Sequence, residues 1–526
     1  MLARYAMCRC ALAALFILAA CAGSNTQAEP GSAGRDLSAT EAAATITSEE
    51  MIERIAFLAS DEMGGRDTPS EGLEMAAEYL AGEFASFGLD PAGEGGTYLQ
   101  RYPLPLRVLD TTGVHFGTVD GAGQDNRMLE HGVDFFASPA APREGVDMGH
   151  GSFVYFGRLD DESMTDSPDV RGNVMVVTLP GTPDREWRIQ AARARRAAAA
   201  AGASGLLAIL APEFPSEAIA RFAELASRPQ RVLADPDEVP VFYISHEAAR
   251  WVYSRGDFDL DTAPGIAAEG IRVTGVRAHF SAEAVAIEDS RPPNVVALLP
   301  GSDPELKDTY VVFSAHMDHV GIGPADATGD SIYNGADDDA SGTAALVEVA
   351  QAFAAMPEPP ARSLLFLAVS GEEKGLLGSR WFSEYPTVPI EDIVANINVD
   401  MIGRNAPDSI VVIGQEYSSL GPLVQEVAAA HPLLDLTVAA DPWPEERFFF
   451  RSDHFNFVRK EIPALFFFAG VHEDYHRPSD EVEKIDGDKV ARVARLIFHT
   501  ANAIASDPDP PSWSDEGLNQ VRALTR

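Results

Sequence analysis

Five short segments in the carboxyl-terminal half of the chain carry histidine and carboxylate side chains: His316-Met-Asp318-His319, Asp337-Asp338-Asp339, Glu372-Glu373, Asp400, and His472-Glu-Asp-Tyr475-His476. Taken one at a time, each is as readily a turn, a cap or a solvated pair. Imidazole and carboxylate without thiolate are donors that suit zinc, and less selectively manganese or cobalt. Gathering so many carboxylates without a cation would cost roughly several kcal/mol in repulsion and desolvation, so a divalent metal is the economical reading. One bridging carboxylate with two further ligands per ion would make a two-metal site.

The elements around these residues explain why they would meet. From Arg291-Pro-Pro onward, strand candidates at Asn294–Leu299, Tyr310–Ala315, Ser363–Val369, Ile393–Val399, Ser409–Ile413 and Pro463–Phe468 alternate with helix candidates at Ser341–Met356, Leu377–Tyr385, Leu420–His431 and Asp488–Ala505. Strands separated by helices of this length imply an α/β fold, a mostly parallel central sheet covered by helices on both faces. In such a sheet the ligand crevice lies beyond the carboxyl ends of the strands. Four of the chemical segments follow a strand directly, and the aspartate triplet precedes the helix that Ser341-Gly342 opens. Ser341 reads as that helix's cap rather than as a nucleophile. Upstream, apolar spacing predicts a helix from Ser48, with Ser48 as its cap, and a second over Glu71 to Phe87, separated by Gly64-Gly65-Arg66.

These motifs resemble those of the family 28 metallopeptidases, co-catalytic di-zinc aminopeptidases and their relatives. The resemblance rests on His316-Met-Asp318, Tyr333 through Gly342, Gly371-Glu372-Glu373-Lys-Gly375, Asn398-Val-Asp400-Met-Ile-Gly403 and Tyr475-His476-Arg-Pro-Ser-Asp480, in order over residues 290–505. It extends upstream through Leu58-Ala-Ser-Asp61, Gly65-Arg66 and Phe87-Gly-Leu89. The resemblance implies a zinc-dependent exopeptidase (phosphorylase/hydrolase-like) fold with two zinc ions per chain. Asp337 would bridge them, with a cis peptide to Asp338. His316 and Asp400 would complete one ion, Glu373 and His476 the other. Asp318 would hydrogen-bond His316 and set its tautomer. Glu372 would be the general base, taking a proton from the water between the ions and passing it to the leaving amine. Tyr475 would stabilise the oxyanion.

His472-Glu473-Asp474-Tyr475-His476 also satisfies H-E-x-x-H, the pattern of zinc proteases with both histidines on one helix face. Here it follows an apolar strand and Gly470, and Pro478 stands where a helix would have to continue, so the helical reading is disfavoured. Phosphate-loop, dinucleotide-turn and serine-elbow patterns are missing.

The chain has 526 residues, 80 acidic against 40 basic, for a formal net charge of −40. Such a chain repels phosphate backbones, so no nucleic-acid partner is expected. All three cysteines, Cys8, Cys10 and Cys21, fall in the first 21 residues, where Arg4 and Arg9 make a basic start, Ala11–Ala20 is a short apolar run and Cys21 closes it. Leu18-Ala-Ala-Cys21 resembles a bacterial lipobox. It implies a lipoprotein signal peptide (1–21), a lipid anchor on Cys21 as the sole membrane attachment, and placement on the periplasmic side of the outer membrane; a periplasmic or secreted form is the alternative. Residues 22–45 then read as a flexible tether, 46–124 as the first part of the peptidase domain and 125–285 as an inserted smaller α/β-β module. Residues 286–506 would be the main peptidase domain and 507–526 a tail. The inserted module resembles a protease-associated domain at Gly172-Asn-Val-Met-Val-Val177 and Ala201-Gly-Ala-Ser-Gly205.

The function expected is aminopeptidase cleavage of peptide substrates, since a carboxylate-rich metal centre also attracts a peptide's positive amino terminus. The aromatic stretch Phe448–Phe457 is a candidate specificity wall. Same-fold alternatives are glutaminyl cyclase, a glutamate-type carboxypeptidase and a catalytically inactive binding protein. An intact ligand set weighs against the last, and a two-metal set against the single-zinc cyclase.

Overall fold

The structure is a computed structural model. It describes residues 38–118, 128–138, 146–147, 153–158, 170–234, 239–263, 265–274 and 278–525. The leader, with Cys21 and the lipobox, lies outside the described residues.

The central sheet has nine strands, in the order Asp90–Pro91, Pro293–Leu299, Ser363–Val369, Tyr310–His316, Ile393–Val399, Ala464–Phe468, Ser409–Ile413, Thr437–Ala439, with Leu99–Arg101 paired beside Pro293–Leu299. The four middle strands run parallel, whereas Pro293–Leu299 and Ser409–Ile413 join antiparallel. A period of two divides the sheet's faces. Val311, Phe313 and Ala315 enter one core with Leu364, Phe366 and Ala368, while Val312, Leu365 and Leu367 enter another. The first core is covered by helices Ser48–Leu58, Glu71–Ser86, Gly342–Ala354 and Gly487–Ser506, through Met51, Leu80, Val347 and Leu496. The second is covered by Phe382 and Phe457. Burial on both faces is why these strands read as continuous apolar runs in the sequence.

The local signals place the elements closely, with four differences. Helix Ser48–Leu58 is capped by Thr47, whose side chain accepts from the Glu50 N–H, rather than by Ser48. Part of the expected tether is structured: Ala39–Ala43 is a short helix with a Ser38–Glu41 capping box and buried Ala42 and Ala43. The carboxyl-terminal tail also docks. Helix Asp515–Thr525 buries Val521, and the Trp513 indole donates to the Glu461 carbonyl at 2.6 Å. Finally, Leu106–Thr118 pairs antiparallel with Ala278–Glu288, so the strands of the inserted module begin before residue 125. That module also holds a six-stranded sheet whose four inner strands, Phe153–Gly157, Val174–Leu179, Gly205–Leu210 and Val241–Ile244, are parallel.

Candidate metal centre

His316 is the last residue of its strand and is buried. Its Nε2 lies 3.4 Å from Asp338 Oδ1 and 3.5 Å from Asp400 Oδ1. Its Nδ1 is 3.2 Å from the Asp318 main-chain carbonyl but 3.8 Å from the carboxylate, which is beyond hydrogen-bond range. The carbonyl therefore holds the Nδ1 proton and leaves Nε2 its lone pair. The Asp318 carboxylate instead braces a neighbouring turn. Its Oδ2 accepts from Thr68 at 3.0 Å, and its Oδ1 accepts from the Glu372 N–H at 3.3 Å, which fixes the turn that carries Glu372. Burial, with repulsion from Glu373, pushes it up to about 6 despite the pull of His316.

A second group forms on the other side of Asp338. His476 Nε2 is 3.1 Å from Asp338 Oδ2 and 3.0 Å from Glu373 Oε2. His319 Nδ1 is 2.9 Å from Glu373 Oε1 and 3.7 Å from Asp338 Oδ2. Two donor clusters result, His316–Asp338–Asp400 and His319–Asp338–Glu373–His476, each compact enough to hold one ion, and they share Asp338.

The shared carboxylate is thus Asp338, not Asp337. Asp337 points to the far side of its loop, where Oδ1 accepts from the Gly403 N–H at 2.6 Å and Ser341 Oγ at 3.0 Å, and Oδ2 lies 3.3 Å from His472 Nε2. The cis peptide is likewise one residue later, Asp338–Asp339. Asp339 turns inward as a scaffold, accepting main-chain N–H groups from His316, Gly342 and Met401 at 2.9–3.1 Å. It, not Ser341, therefore serves the start of helix Gly342–Ala354; the Ser341 hydroxyl turns back to the Asp337 carbonyl at 2.8 Å.

Three supporting residues carry no sequence signal for the roles they take. Asp480 Oδ2 accepts the N–H groups of Asp337 and Asp338 at 3.1 and 3.2 Å. Arg66, fully buried, donates to the carbonyls of Leu58, Met317, Asn334 and Gly335, tying the loop after the His316 strand to the aspartate loop. Asp453, also fully buried, accepts from Ser379 at 2.5 Å. His319 is visible in the sequence as the fourth residue of His-Met-Asp-His, and Arg66 as the residue after two glycines, but neither pattern alone reports proximity to Asp338.

The electrostatics follow from this crowding. Burial alone would raise Asp338, yet His319, His316 and His476 hold it well below the usual carboxylate range. Reciprocally, Asp338 and Glu373 outweigh partial burial and raise His476 to about 10. Glu372 is raised well above normal by burial and by Asp453, Asp400 and Glu373, against the pull of His316. A cluster that draws protons onto its imidazoles is one that attracts positive charge. Asp338 Oδ2, Asp400 Oδ1, Glu373 Oε1, His319 Nδ1 and His476 Nε2 are buried without a hydrogen-bond partner, which in a folded chain fits atoms reserved for metal.

Glu372 and Tyr475 line the cleft above the centre with His316, Asp338, Asp400, Arg451, Phe448, Phe466 and Phe468. The Phe448–Phe457 stretch therefore divides: Phe448 faces the cleft, whereas Phe457 belongs to the core. His472 to His476 forms turns, not a helix, and His476 itself has a φ of +54°, so the two histidines do not share a helix face.

The family model for Peptidase family M28 matches residues 294–501. Over 268 residues the chain is 24% identical to a probable leucine aminopeptidase of Arthroderma benhamiae, covering 49% of this chain and 66% of that protein. Over 111 residues it is 39% identical to a probable zinc metalloprotease of Pyrenophora teres f. teres, covering 21% and 23%. The chain thus spans less than two thirds of the length of these curated relatives. Among solved structures it is similar to an aminopeptidase from Aneurinibacillus sp. strain AM-1, with a TM-score of 0.46, 18% identity, and coverage of 90% of this chain and 97% of that one. Strand ends, the aspartate loop and the His476 turn all fall inside the stretch, residues 294–501, that matches the model for Peptidase family M28.

Proposed function

We propose that the protein is a di-zinc aminopeptidase that removes amino-terminal residues from peptides. The observation that carries this reading is the pair of donor clusters sharing Asp338, with Glu372 in the same cleft. His316, Asp338 and Asp400 would hold one ion; Asp338, Glu373 and His476, with His319 beside them, the other. Zinc bound there would polarise the scissile carbonyl and bring the pKa of water towards neutrality. Glu372, held by burial and neighbouring carboxylates as a strong base, takes a proton from the attacking water and delivers it to the departing amine. Asp318 keeps Glu372 in place through its N–H. The Tyr475 phenol, kept protonated by burial and the surrounding carboxylates, donates to the oxygen on which negative charge develops. Excess carboxylate around the cleft favours an ammonium group, hence a free peptide amino terminus. Anchoring through Cys21 on the periplasmic face of the outer membrane is part of the same proposal and rests on the lipobox alone.

The test is a panel of aminoacyl-anilides assayed with and without chelator, alongside metal stoichiometry. Chelator-sensitive release with two metals per chain supports the reading. Two bound metals with no release from any substrate overturns it.

A further inference from the structure

Glu372 stands in the turn that leaves strand Ser363–Val369, next to Gly371, whose φ is +72°. A glycine puts little steric limit on rotation of the peptide unit beside it, so a base placed there needs its backbone fixed by other means. The unit between Ser370 and Gly371 is held at both ends. At one end the Tyr102 hydroxyl donates to the Ser370 carbonyl at 3.0 Å, and that carbonyl also accepts from the Gly378 N–H at 2.9 Å. Ser370 Oγ, 3.0 Å from the same phenol, gives its hydrogen to the Pro293 carbonyl at 2.7 Å, so the phenol is the donor in this group. At the other end Thr68 Oγ1 accepts the Gly371 N–H at 3.0 Å and donates to Asp318 Oδ2 at 3.0 Å. Asp318 Oδ1 takes the next N–H, that of Glu372. Thr68, Tyr102 and Asp318 are all fully buried.

Tyr102 belongs to the segment that runs toward the inserted module. Its ring clusters with Leu104 and with Leu233 of the module, and Leu377 and Trp381 of helix Leu377–Glu384, just behind the turn, pack against them. The N–H groups of Val232 and Ala234 donate to the carbonyls of Pro105 and Pro103 at 3.2 and 3.0 Å and hold the two sides of this stem together. A phenylalanine would fill the same apolar place; the hydroxyl is the part that reaches the turn. A methyl group on Gly371 would lie 2.7 Å from the Tyr102 oxygen, so ring and turn are closely fitted.

We propose that Tyr102 and Thr68 are positioning residues for Glu372, clamping the Ser370–Gly371 peptide unit from both ends, and that the inserted module supports the clamp through Leu233. This rests on the reading of Glu372 as the base, but the motion of the turn can be measured without turnover.

The experiment uses the metal-loaded full chain. Tyr102→Phe and Thr68→Val each remove one hydroxyl and keep the shape of the side chain. Each should lower kcat for an aminoacyl-anilide by about tenfold or more, with KM within about twofold and the metal content of the parent. Thr68→Ser, which keeps a hydroxyl, should recover most of that loss. Leu233→Ala should lower kcat in the same direction at full metal occupancy. Trp381→Phe repacks the same cluster without removing a hydrogen bond to the turn, so it should lower the melting temperature and leave kcat in place. Hydrogen exchange read by mass spectrometry over residues 369–378 follows the turn itself and should quicken in Tyr102→Phe and Thr68→Val. If the parent cleaves no substrate while exchange quickens in both variants, the aminopeptidase reading fails and the clamp stands. With an active parent, unchanged kcat or unchanged exchange in either hydroxyl variant overturns that residue's role, as does a loss of kcat that follows loss of metal. Unchanged kcat in Leu233→Ala overturns the module's share.

Discussion

Oδ2 of Asp338 lies 3.1 Å from Nε2 of His476, while the carboxylate of the preceding residue faces His472 instead. One peptide unit therefore decides which aspartate joins the two donor clusters. Asp338→Asn should lower bound metal from two ions per chain to one or none and remove activity. Asp337→Asn should retain metal and instead lower stability by about 1–3 kcal/mol, because the N–H of Gly403 loses its charged acceptor. Metal analysis by mass spectrometry and urea melts on both variants check this; the opposite assignment would reverse the two results.

Glu372→Gln should reduce kcat by roughly 100-fold or more with both metals retained, as expected for loss of a general base. Glu473→Gln, in the turn of the H-E-x-x-H pattern, should keep near-native turnover, since that segment is not helical. Steady-state kinetics with parallel metal counts distinguishes the two.

His319→Asn should weaken the second ion by about 10–100-fold while sparing the first. The reason is the 2.9 Å approach of its Nδ1 to Glu373. Competition with a graded chelator reads the two affinities without reference to activity.

Arg66→Met should destabilise the domain by about 3–5 kcal/mol, because four main-chain carbonyls lose their donor in a buried site next to Asp318, Asp338, Asp339 and Asp480. Loss of metal affinity should accompany it, since Arg66 braces both loops that supply ligands. Thermal melts of the metal-free and loaded forms separate the two effects.

His454 gives a pH dependence with a definite sign. It is fully buried, stacked on Phe466 with centroids 4.9 Å apart, and burial pushes it down to about 3. In the unfolded chain it takes a proton near its ordinary value of about 6.5, whereas the folded chain resists until far lower. Its contribution is complete above about pH 6.5, falls by up to ~1.4 kcal/mol per unit below that, and is gone near pH 3. His454→Leu should flatten that part of the stability profile in urea melts between pH 7 and 4.5, relative to the parent.

Much of this was legible in the chain before folding. Ser363–Val369, Ile393–Val399 and Ser409–Ile413 are strands at the bounds their apolar runs suggest, because a strand buried on both faces carries its environment in its composition. His316, Glu373, Asp400 and His476 were legible for a related reason: each ends a strand or lies in the segment that leaves one, and strand ends in a parallel sheet meet at one edge. Arg66 was legible only as the residue closing a glycine break. Its burial comes from loops more than 250 residues away, whose carbonyls no local pattern announces.

By itself, then, the sequence determined the α/β alternation, the edge of the sheet that carries chemistry, and a donor set suited to a divalent metal. It could not choose among Asp337, Asp338 and Asp339. Three adjacent carboxylates are chemically alike, and only the path of the backbone, pinned by Asp480 and Arg66, turns one to the imidazoles, one to Gly403 and one inward. Nor could it show that Thr68 and Tyr102 meet the turn before Glu372. Those hydrogen bonds join residues 303 and 268 apart in the chain, brought together by tertiary packing, and no local pattern or period carries them.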